Sequence, residues 1–132
     1  MLDFALLELT EKPNQYLVCP ADYCQKAAAH REAPVYDVPA AKLRDAWAKV
    51  VASQPRTKTL EQDSASLSYE YVQRSALFRY PDFVSVQFVS LGDESTTMAI
   101  YSRSKYGYSD LGVNKKRIDT WLDLLEAELS SK

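Results

Sequence analysis

The sequence predicts an α+β protein, a two-layer sandwich in which an antiparallel sheet of three to four strands is covered by two helices. Two observations lead to this prediction. Segments between residues 57 and 104 alternate apolar and polar side chains and are joined by short turns, as antiparallel strands are. The segments before and after them carry apolar residues at helical spacing. With 132 residues, the chain is expected to form a single domain with its own core.

Two parts of this domain are distinguished by their composition. Residues 1–36 are predicted to be an irregular N-terminal segment packed on the domain, and residues 37–132 to be the α+β core. Pro13, Pro20 and Pro34 interrupt any helix in the first part and favour extended chain. The first regular element is therefore expected after residue 36.

The core is predicted to open with a helix whose first turn contains Pro39 and which ends before Pro55. The apolar face of this helix consists of Leu43, Ala46, Trp47, Val50 and Val51. Strands are predicted at residues 57–62, 66–74, 83–91 and 96–104, the first of them as an edge or half-exposed strand. A second helix, with a clean apolar stripe, is predicted at residues 113–129.

The last strand and the last helix are joined by a basic segment, residues 102–117, which we call the signature loop. Arg103 to Arg117 contain five basic residues and one acid, Asp110. Such a cluster indicates either a site for an anionic group or an ion-pair network that fixes the loop. The network is the favoured interpretation, because structural ion pairs also produce such clusters. The candidate binding residues are Arg74, Arg103, Tyr108, Asp110, Asn114 and Arg117.

The charge balance of the whole chain argues against nucleic acid as a partner. The net charge is −2 and the sequence pI is about 5.4, whereas domains that bind nucleic acid are usually basic. Lys115, Lys116 and Arg117 nevertheless give the last helix a basic first turn, where the helix dipole prefers acids. This inversion requires either a functional role or pairing with carboxylates elsewhere in the chain.

The cysteines and the single histidine do not predict a metal site. Cys19 and Cys24 lie five residues apart, and a zinc site would need two further ligands where only His30 is present. We expect no metal and no cofactor. Cys19 and Cys24 are predicted either to form a short-loop disulfide or to remain free thiols, depending on the compartment. Nothing orients His30 for a Ser-His-Asp or Cys-His system, so no catalytic residue is assigned.

Several tyrosines lie in the predicted strands or in the signature loop. Tyr69 and Tyr71 are interpreted as cross-strand packing residues, since aromatic side chains pair well on sheets. Tyr106 and Tyr108 lie in a polar loop and leave two interpretations open. They either anchor the loop or line an aromatic groove for a lipid, a glycan or a peptide.

Three stretches are similar to the pattern of a known family. They are residues 13–18, residues 55–57 with 71–82, and residues 102–117 with the run Gly-Tyr-Ser-Asp-Leu-Gly-Val-Asn. Together they resemble the bacterial domain-of-unknown-function family 1499 over nearly the whole chain. The resemblance implies a location outside the cytoplasm, behind a lipoprotein signal or membrane anchor, and this favours the disulfide over free thiols. It implies no catalytic residues and, because many members carry a cysteine where this chain has Gln15, no cysteine pairing.

The start of the chain leaves the compartment open. No run approaches the roughly 18 apolar residues of a membrane-spanning helix, so no transmembrane segment is predicted. The first residues lack the basic region of a signal peptide. The protein is expected to be periplasmic or membrane-anchored if a leader precedes Leu2, and cytoplasmic otherwise. The resemblance favours the leader.

These observations predict a non-enzymatic binding or interaction domain of the bacterial cell envelope that recognises an anionic group at the signature loop. The expected partner is an anionic small molecule, a lipid or an envelope protein. The alternative is a small hydrolase or transferase that uses carboxylate and serine residues of the same loop. A deep pocket in which Ser102, Ser104 or Ser109 contacts a carboxylate or a lysine would favour the enzyme.

Overall fold

The computed structural model describes residues 1–107 and 109–131, and it folds them into one sheet and two helices. The strands are β1 (Gln15–Cys19), β2 (Arg31–Glu32), β3 (Thr57–Asp63), β4 (Ser68–Arg74), β5 (Pro81–Gly92) and β6 (Ser95–Ser104). The helices are α1 (Ala40–Ala52) and α2 (Val113–Ser130). Both helices and the strands β3 to β6 lie close to the positions that the hydrophobic periodicity predicts.

The sheet itself differs from the prediction. Its strand order is β2-β1-β6-β5-β4-β3, with β1 and β2 parallel and all other neighbours antiparallel. The prediction of an antiparallel sheet with three to four strands was therefore wrong, because the sheet is mixed and has six strands. The two missing strands lie in the proline-marked residues 1–36. All five residues of β1 are buried, so β1 lacks the alternation by which the other strands were found.

Both helices cover one face of the sheet and enclose the larger core. Trp47 of α1 and Trp121 of α2 meet edge to face, with ring centroids 5.8 Å apart. They pack on alternate residues of the strands, including Val84, Met98 and Ile100, which are fully buried. Among the described residues, no helix combines the length and the apolarity needed to cross a membrane.

The opposite face of the sheet carries a second, smaller core. Phe4 and Leu7 pack there on Leu17 and Tyr101, which belong to β1 and β6. Cys19 and Cys24 are bonded to each other at the edge of this cluster, with Cα atoms 6.4 Å apart. The N-terminal segment thus supplies two strands of the sheet and covers part of its second face.

Several strand ends that bear on function lie at one end of the sheet. Register pairs Thr57 with Gln73, Arg74 with Pro81, and Asp82 with Ser104. Strands β3 and β5 therefore begin, and β4 and β6 end, at the same end of the sheet. The signature loop leaves β6 there as well, and we call this end the signature end.

Candidate functional site

Arg117 of α2 is buried and hydrogen-bonded on every side. Its Nη2 lies 2.7 Å from Asp82 Oδ2, and the two side chains are only 8% and 15% exposed. Its Nε donates to Gln73 Oε1. Its Nη1 donates to Asn114 Oδ1 at 2.8 Å and to Ser102 Oγ at 3.2 Å. Each guanidinium nitrogen thus has an acceptor within the protein, so Arg117 joins α2 to β4, β5 and β6.

Asn114, one turn earlier on α2, is fully buried and forms further hydrogen bonds in the same network as Arg117. Its Oδ1 also accepts a hydrogen bond from Ser102 Oγ at 2.6 Å. Its Nδ2 faces three acceptors, Asp110 Oδ2 at 2.6 Å, Ser104 Oγ at 3.0 Å and the Asn14 carbonyl at 3.2 Å. Asn114 therefore connects α2 with β6, with the signature loop and with the residue that precedes β1.

Asp110 occupies the amino end of α2. Its carboxylate accepts hydrogen bonds from the backbone amides of Gly112, at 2.8 Å, and of Asn114, at 3.0 Å. Burial alone would raise the pKa of Asp110, but the hydrogen bonds from Asn114 and Gly112 outweigh it and lower the pKa. The anion favoured by the helix dipole is thus a residue of the chain itself. The Gly112 and Asn114 amides are therefore already bonded within the chain.

A second cluster on α2 has Asp119 at its centre. The Asp119 carboxylate accepts hydrogen bonds from Tyr16 Oη at 3.0 Å, Arg31 Nη1 at 2.9 Å and Lys115 Nζ at 2.7 Å. Burial alone would raise the pKa of Asp119, whereas the hydrogen bonds from Lys115, Arg31 and Tyr16 lower it. In the basic first turn of α2, Lys115 thus pairs with Asp119 and Arg117 with Asp82, so carboxylates account for two of its three basic residues.

Arg103 lies on the other face of the sheet. Its Nη1 donates to Ser85 Oγ at 2.6 Å, its Nη2 lies 3.9 Å from Glu70 Oε1, and its guanidinium lies 5.0 Å from the centre of the Tyr101 ring. Burial lowers the pKa of Arg103, and the neighbouring Glu70 opposes this effect. Strand alternation separates it from the network around Arg117, so the two arginines do not share a surface.

The serines of the signature loop do not form the arrangement expected of a nucleophile. Ser102 and Ser104 belong to the Asn114 network, and Ser109 Oγ accepts a nearby backbone N–H. Within residues 1–107 and 109–131, none of these hydroxyls contacts a carboxylate or a lysine. Ser85 does donate to Glu70 Oε1, at 2.6 Å, but Ser85 is fully buried.

Arg74 lies exposed at the signature end, in a pocket that we call the basic pocket. This open pocket has a volume of about 400 Å³, and four cationic side chains line it, those of Arg56, Lys58, Arg74 and Arg79. Thr57 and Val72 complete its wall. In the part of the chain that the structure describes, none of the four cations forms a salt bridge.

Neutral backbone groups position the arginines of the basic pocket. Arg56 Nε donates to the Arg74 carbonyl at 2.9 Å, and Arg74 Nη1 donates to the Arg79 carbonyl at 3.0 Å. These contacts orient the side chains without neutralising their charge. Arg56 and Arg79 also have φ angles of 54° and 60°. These lie in the left-handed region, which residues other than glycine, asparagine and aspartate seldom adopt. Such conformations cost of order 1 kcal/mol or more each and are often found at functional sites.

The comparison with known families agrees with the resemblance. A family model described as "Protein of unknown function (DUF1499)" matches residues 6–125, nearly the whole chain. The chain belongs to this family. No curated protein matches it at a significant level. The DUF1499 match includes the Arg117 network and the basic pocket, but the family description states no activity, so the function has to come from the geometry of these sites.

The structure brings together some of the predicted site residues of this DUF1499 protein and separates others. Asp110, Asn114 and Arg117 form one buried network, Arg103 lies on the opposite face, and Arg74 lies in the basic pocket. Tyr108, also a candidate, lies outside the described residues. Sequence analysis did not find Arg56 and Lys58, because only the pairing of β3 with β4 places them beside Arg74.

The hydrogen bonds and ion pairs that Asp110 and Asp119 each form with other residues make the stability of this DUF1499 domain sensitive to acid. Both carboxyls have a lower pKa in the folded chain than in the unfolded chain. Their contribution to the free energy of unfolding is therefore present above the unfolded value of about 3.9 and is lost as the pH falls through the folded values. We expect urea denaturation of Asp119→Asn to show lower stability at pH 7 and a weaker decline below about pH 4 than the wild type. Asp123→Asn, which removes a charge from an exposed position of the same helix, is the control variant. If the stability of Asp119→Asn changed with pH in the same way as that of the wild type, the lowered pKa of Asp119 would be contradicted.

Proposed function

We propose that this protein is a non-enzymatic binding domain of the bacterial cell envelope that recognises an anionic group in the basic pocket. The observation behind the proposal is the set of four cations, Arg56, Lys58, Arg74 and Arg79, which line one pocket without a salt-bridge partner among the described residues. Like charges repel, so such a set is unfavourable unless an anion neutralises it. Arginine is suited to this role because its planar fork binds phosphate or carboxylate with two hydrogen bonds.

The backbone of the pocket supports the same proposal. Arg56 and Arg79 occupy left-handed positions where glycine or asparagine would be less strained. Their side chains do not pack into either core cluster. A residue that is strained and contributes nothing to the core is readily explained by binding, and this marks Arg79 as the side chain with which to test the pocket.

Two observations support a location in the envelope. Members of the DUF1499 family are expected there from the resemblance, and Cys19 is bonded to Cys24. Disulfides persist in oxidising compartments such as the periplasm and are rare in the cytosol. Two free thiols in the protein isolated from cells would contradict this location while leaving the anion site intact.

The basic pocket is tested with inorganic pyrophosphate, followed by NMR at low salt. We expect chemical-shift changes at the Nε–Hε signals of Arg56 and Arg74 and no change at Arg117. In a double variant, Lys58→Gln with Arg79→Asn, the affinity should fall about tenfold or more, since hydrogen bonds to charged groups contribute about 1.5–3 kcal/mol each. The stability of this variant should equal or exceed that of the wild type, because asparagine tolerates the left-handed conformation.

The matched control removes the same charge elsewhere. Lys26→Gln with Lys116→Gln also lowers the net charge by two, at exposed positions that do not line the pocket. It should leave the pyrophosphate affinity within about twofold of the wild type, measured at the same ionic strength. Equal losses of pyrophosphate affinity in both double variants would mean that the net charge alone determines binding, and would contradict a site in the basic pocket. Shifts at Arg117 in place of Arg56 and Arg74 would move the site to the signature loop.

A further inference from the structure

A highly exposed apolar loop lies beside the basic pocket. It joins β4 to β5, and the exposed fractions of Leu77, Phe78 and Tyr80 are 79%, 67% and 56%. The Phe78 and Tyr80 rings stack with centroids 5.5 Å apart, and Tyr106 of the signature loop lies 6.0 Å from Tyr80. We call these four residues the aromatic tip. Large apolar side chains that contact one another outside the core mark a surface that binds something.

The aromatic tip and the basic pocket are parts of one surface. Arg79 stands between Phe78 and Tyr80 in the chain and lines the pocket. Lys105 adds a further cation, with its Nζ 5.5 Å from the centre of the Tyr106 ring. The surface therefore presents an apolar centre with positive charge beside it, although the protein as a whole carries a net charge of −2.

We propose that this surface docks the domain on an anionic lipid bilayer, with the aromatic tip in the interfacial region and the basic pocket on lipid phosphate groups. The inference rests on the proposed function, because it names the source of the anion. Phenylalanine and leucine side chains gain free energy on leaving water, and tyrosines favour the level of the headgroups. Cations near a membrane surface are attracted by anionic lipids, by about fivefold in affinity for each lysine or arginine.

Hydrogen bonds within the protein close the base of the loop. The Ser75 amide donates to the Tyr80 carbonyl at 3.0 Å, and the Tyr80 amide donates to Ser75 Oγ at 3.0 Å. The Arg79 carbonyl accepts from Arg74 Nη1. Backbone groups that enter a bilayer must be satisfied within the protein, and these four are. None of the tip side chains belongs to a core cluster, so they can be replaced without opening the core.

The test is co-sedimentation with vesicles of two compositions, phosphatidylcholine alone and phosphatidylcholine with about one-third phosphatidylglycerol. We expect the wild type to bind the anionic vesicles at least about tenfold more tightly than the neutral ones. Leu77→Ser with Phe78→Ser should reduce binding to the anionic vesicles about tenfold or more and leave the pyrophosphate affinity unchanged. Leu91→Ser, at a leucine that is 54% exposed near the opposite end of the sheet, should bind vesicles like the wild type.

A fluorescent probe at the tip reports insertion directly. The native Trp47 and Trp121 are buried, so their emission is insensitive to a membrane outside. Phe78→Trp should show a blue shift with anionic vesicles, and Leu91→Trp should not. A blue shift at both positions would indicate unspecific adsorption and overturn the proposed orientation.

The outcomes separate this inference from the proposed function. Pyrophosphate binding without vesicle binding would overturn membrane docking and keep the anion site. Equal binding of both vesicle types, or full vesicle binding by the Leu77→Ser and Phe78→Ser double variant, would also overturn membrane docking. Binding of neither pyrophosphate nor vesicles would overturn both proposals.

Discussion

Replacing Arg117 with methionine should lower the free energy of unfolding by about 3–5 kcal/mol, the range found when one partner of a buried ion pair is removed. Methionine keeps most of the apolar stem, so the loss reports the guanidinium contacts. Asp82 would be left with 15% exposure and without its cation. Gln73 and Ser102 would each lose a donor as well. Urea denaturation followed by far-UV circular dichroism measures the change.

Lys116→Met is the matched control for Arg117→Met. Lys116 is the preceding residue on α2, is exposed and carries the same charge, so its replacement should change stability by less than about 0.5 kcal/mol. Arg117→Lys should fall between the two, because lysine keeps the charge but cannot reproduce the planar fork. If Arg117→Met were as stable as Lys116→Met but failed to bind pyrophosphate, Arg117 would be a ligand residue and its structural role would be refuted.

The signature loop thus combines two properties that the sequence cannot separate. Its buried half, around Asn114 and Arg117, uses positive charge to fix α2 on the sheet. Its exposed half begins with Lys105 and Tyr106 and belongs to the surface that carries the aromatic tip. A motif that identifies a family can therefore owe its residues to folding, while the binding surface that we propose lies beside it.

The fold was predictable where local periodicity determined structure. Helix α2 and the β5–β6 hairpin have apolar patterns of period 3.6 and 2, and both lie where the patterns indicated. Strand β1 has neither pattern, because a central strand is buried on both faces. Its partner β6 is distant in sequence, with Gln15 opposite Arg103, and such long-range pairing leaves no local signal.

The site was predictable in chemistry but not in arrangement. The sequence indicated basic residues at the end of β6 and favoured an ion-pair network, but Arg103 pairs with Glu70 on one face of the sheet and Arg117 with Asp82 on the other. Strand alternation could have shown that Arg103 faces away from Ser102 and Ser104. No local signal could have placed Arg56 beside Arg74, because that contact depends on the register between β3 and β4.

Replacing Asn114 with aspartate should be more damaging than its near-identical shape suggests. The change turns the donor Nδ2 into an oxygen that would face Asp110 Oδ2, at 2.6 Å in the wild type, and the Asn14 carbonyl. It also adds a negative charge, close to that of Asp110, at a position that is fully buried. Arg117 offsets part of this charge, yet lost hydrogen bonds and repulsion together should cost about 3 kcal/mol or more at pH 7.

The pH dependence of Asn114→Asp distinguishes repulsion from a simple loss of hydrogen bonds. Burial and the neighbouring Asp110 should raise the pKa of the new carboxyl in the folded chain above its unfolded value of about 3.9. The folded state then binds the proton more tightly, so the variant should recover stability relative to the wild type as the pH falls from 7 through the folded pKa. Asn114→Ala lacks the carboxyl and should show no such recovery, although it also loses the hydrogen bonds. A stability deficit of Asn114→Asp that stays constant between pH 7 and 5 would contradict the repulsion and would assign the deficit to the lost Nδ2 hydrogen bonds alone.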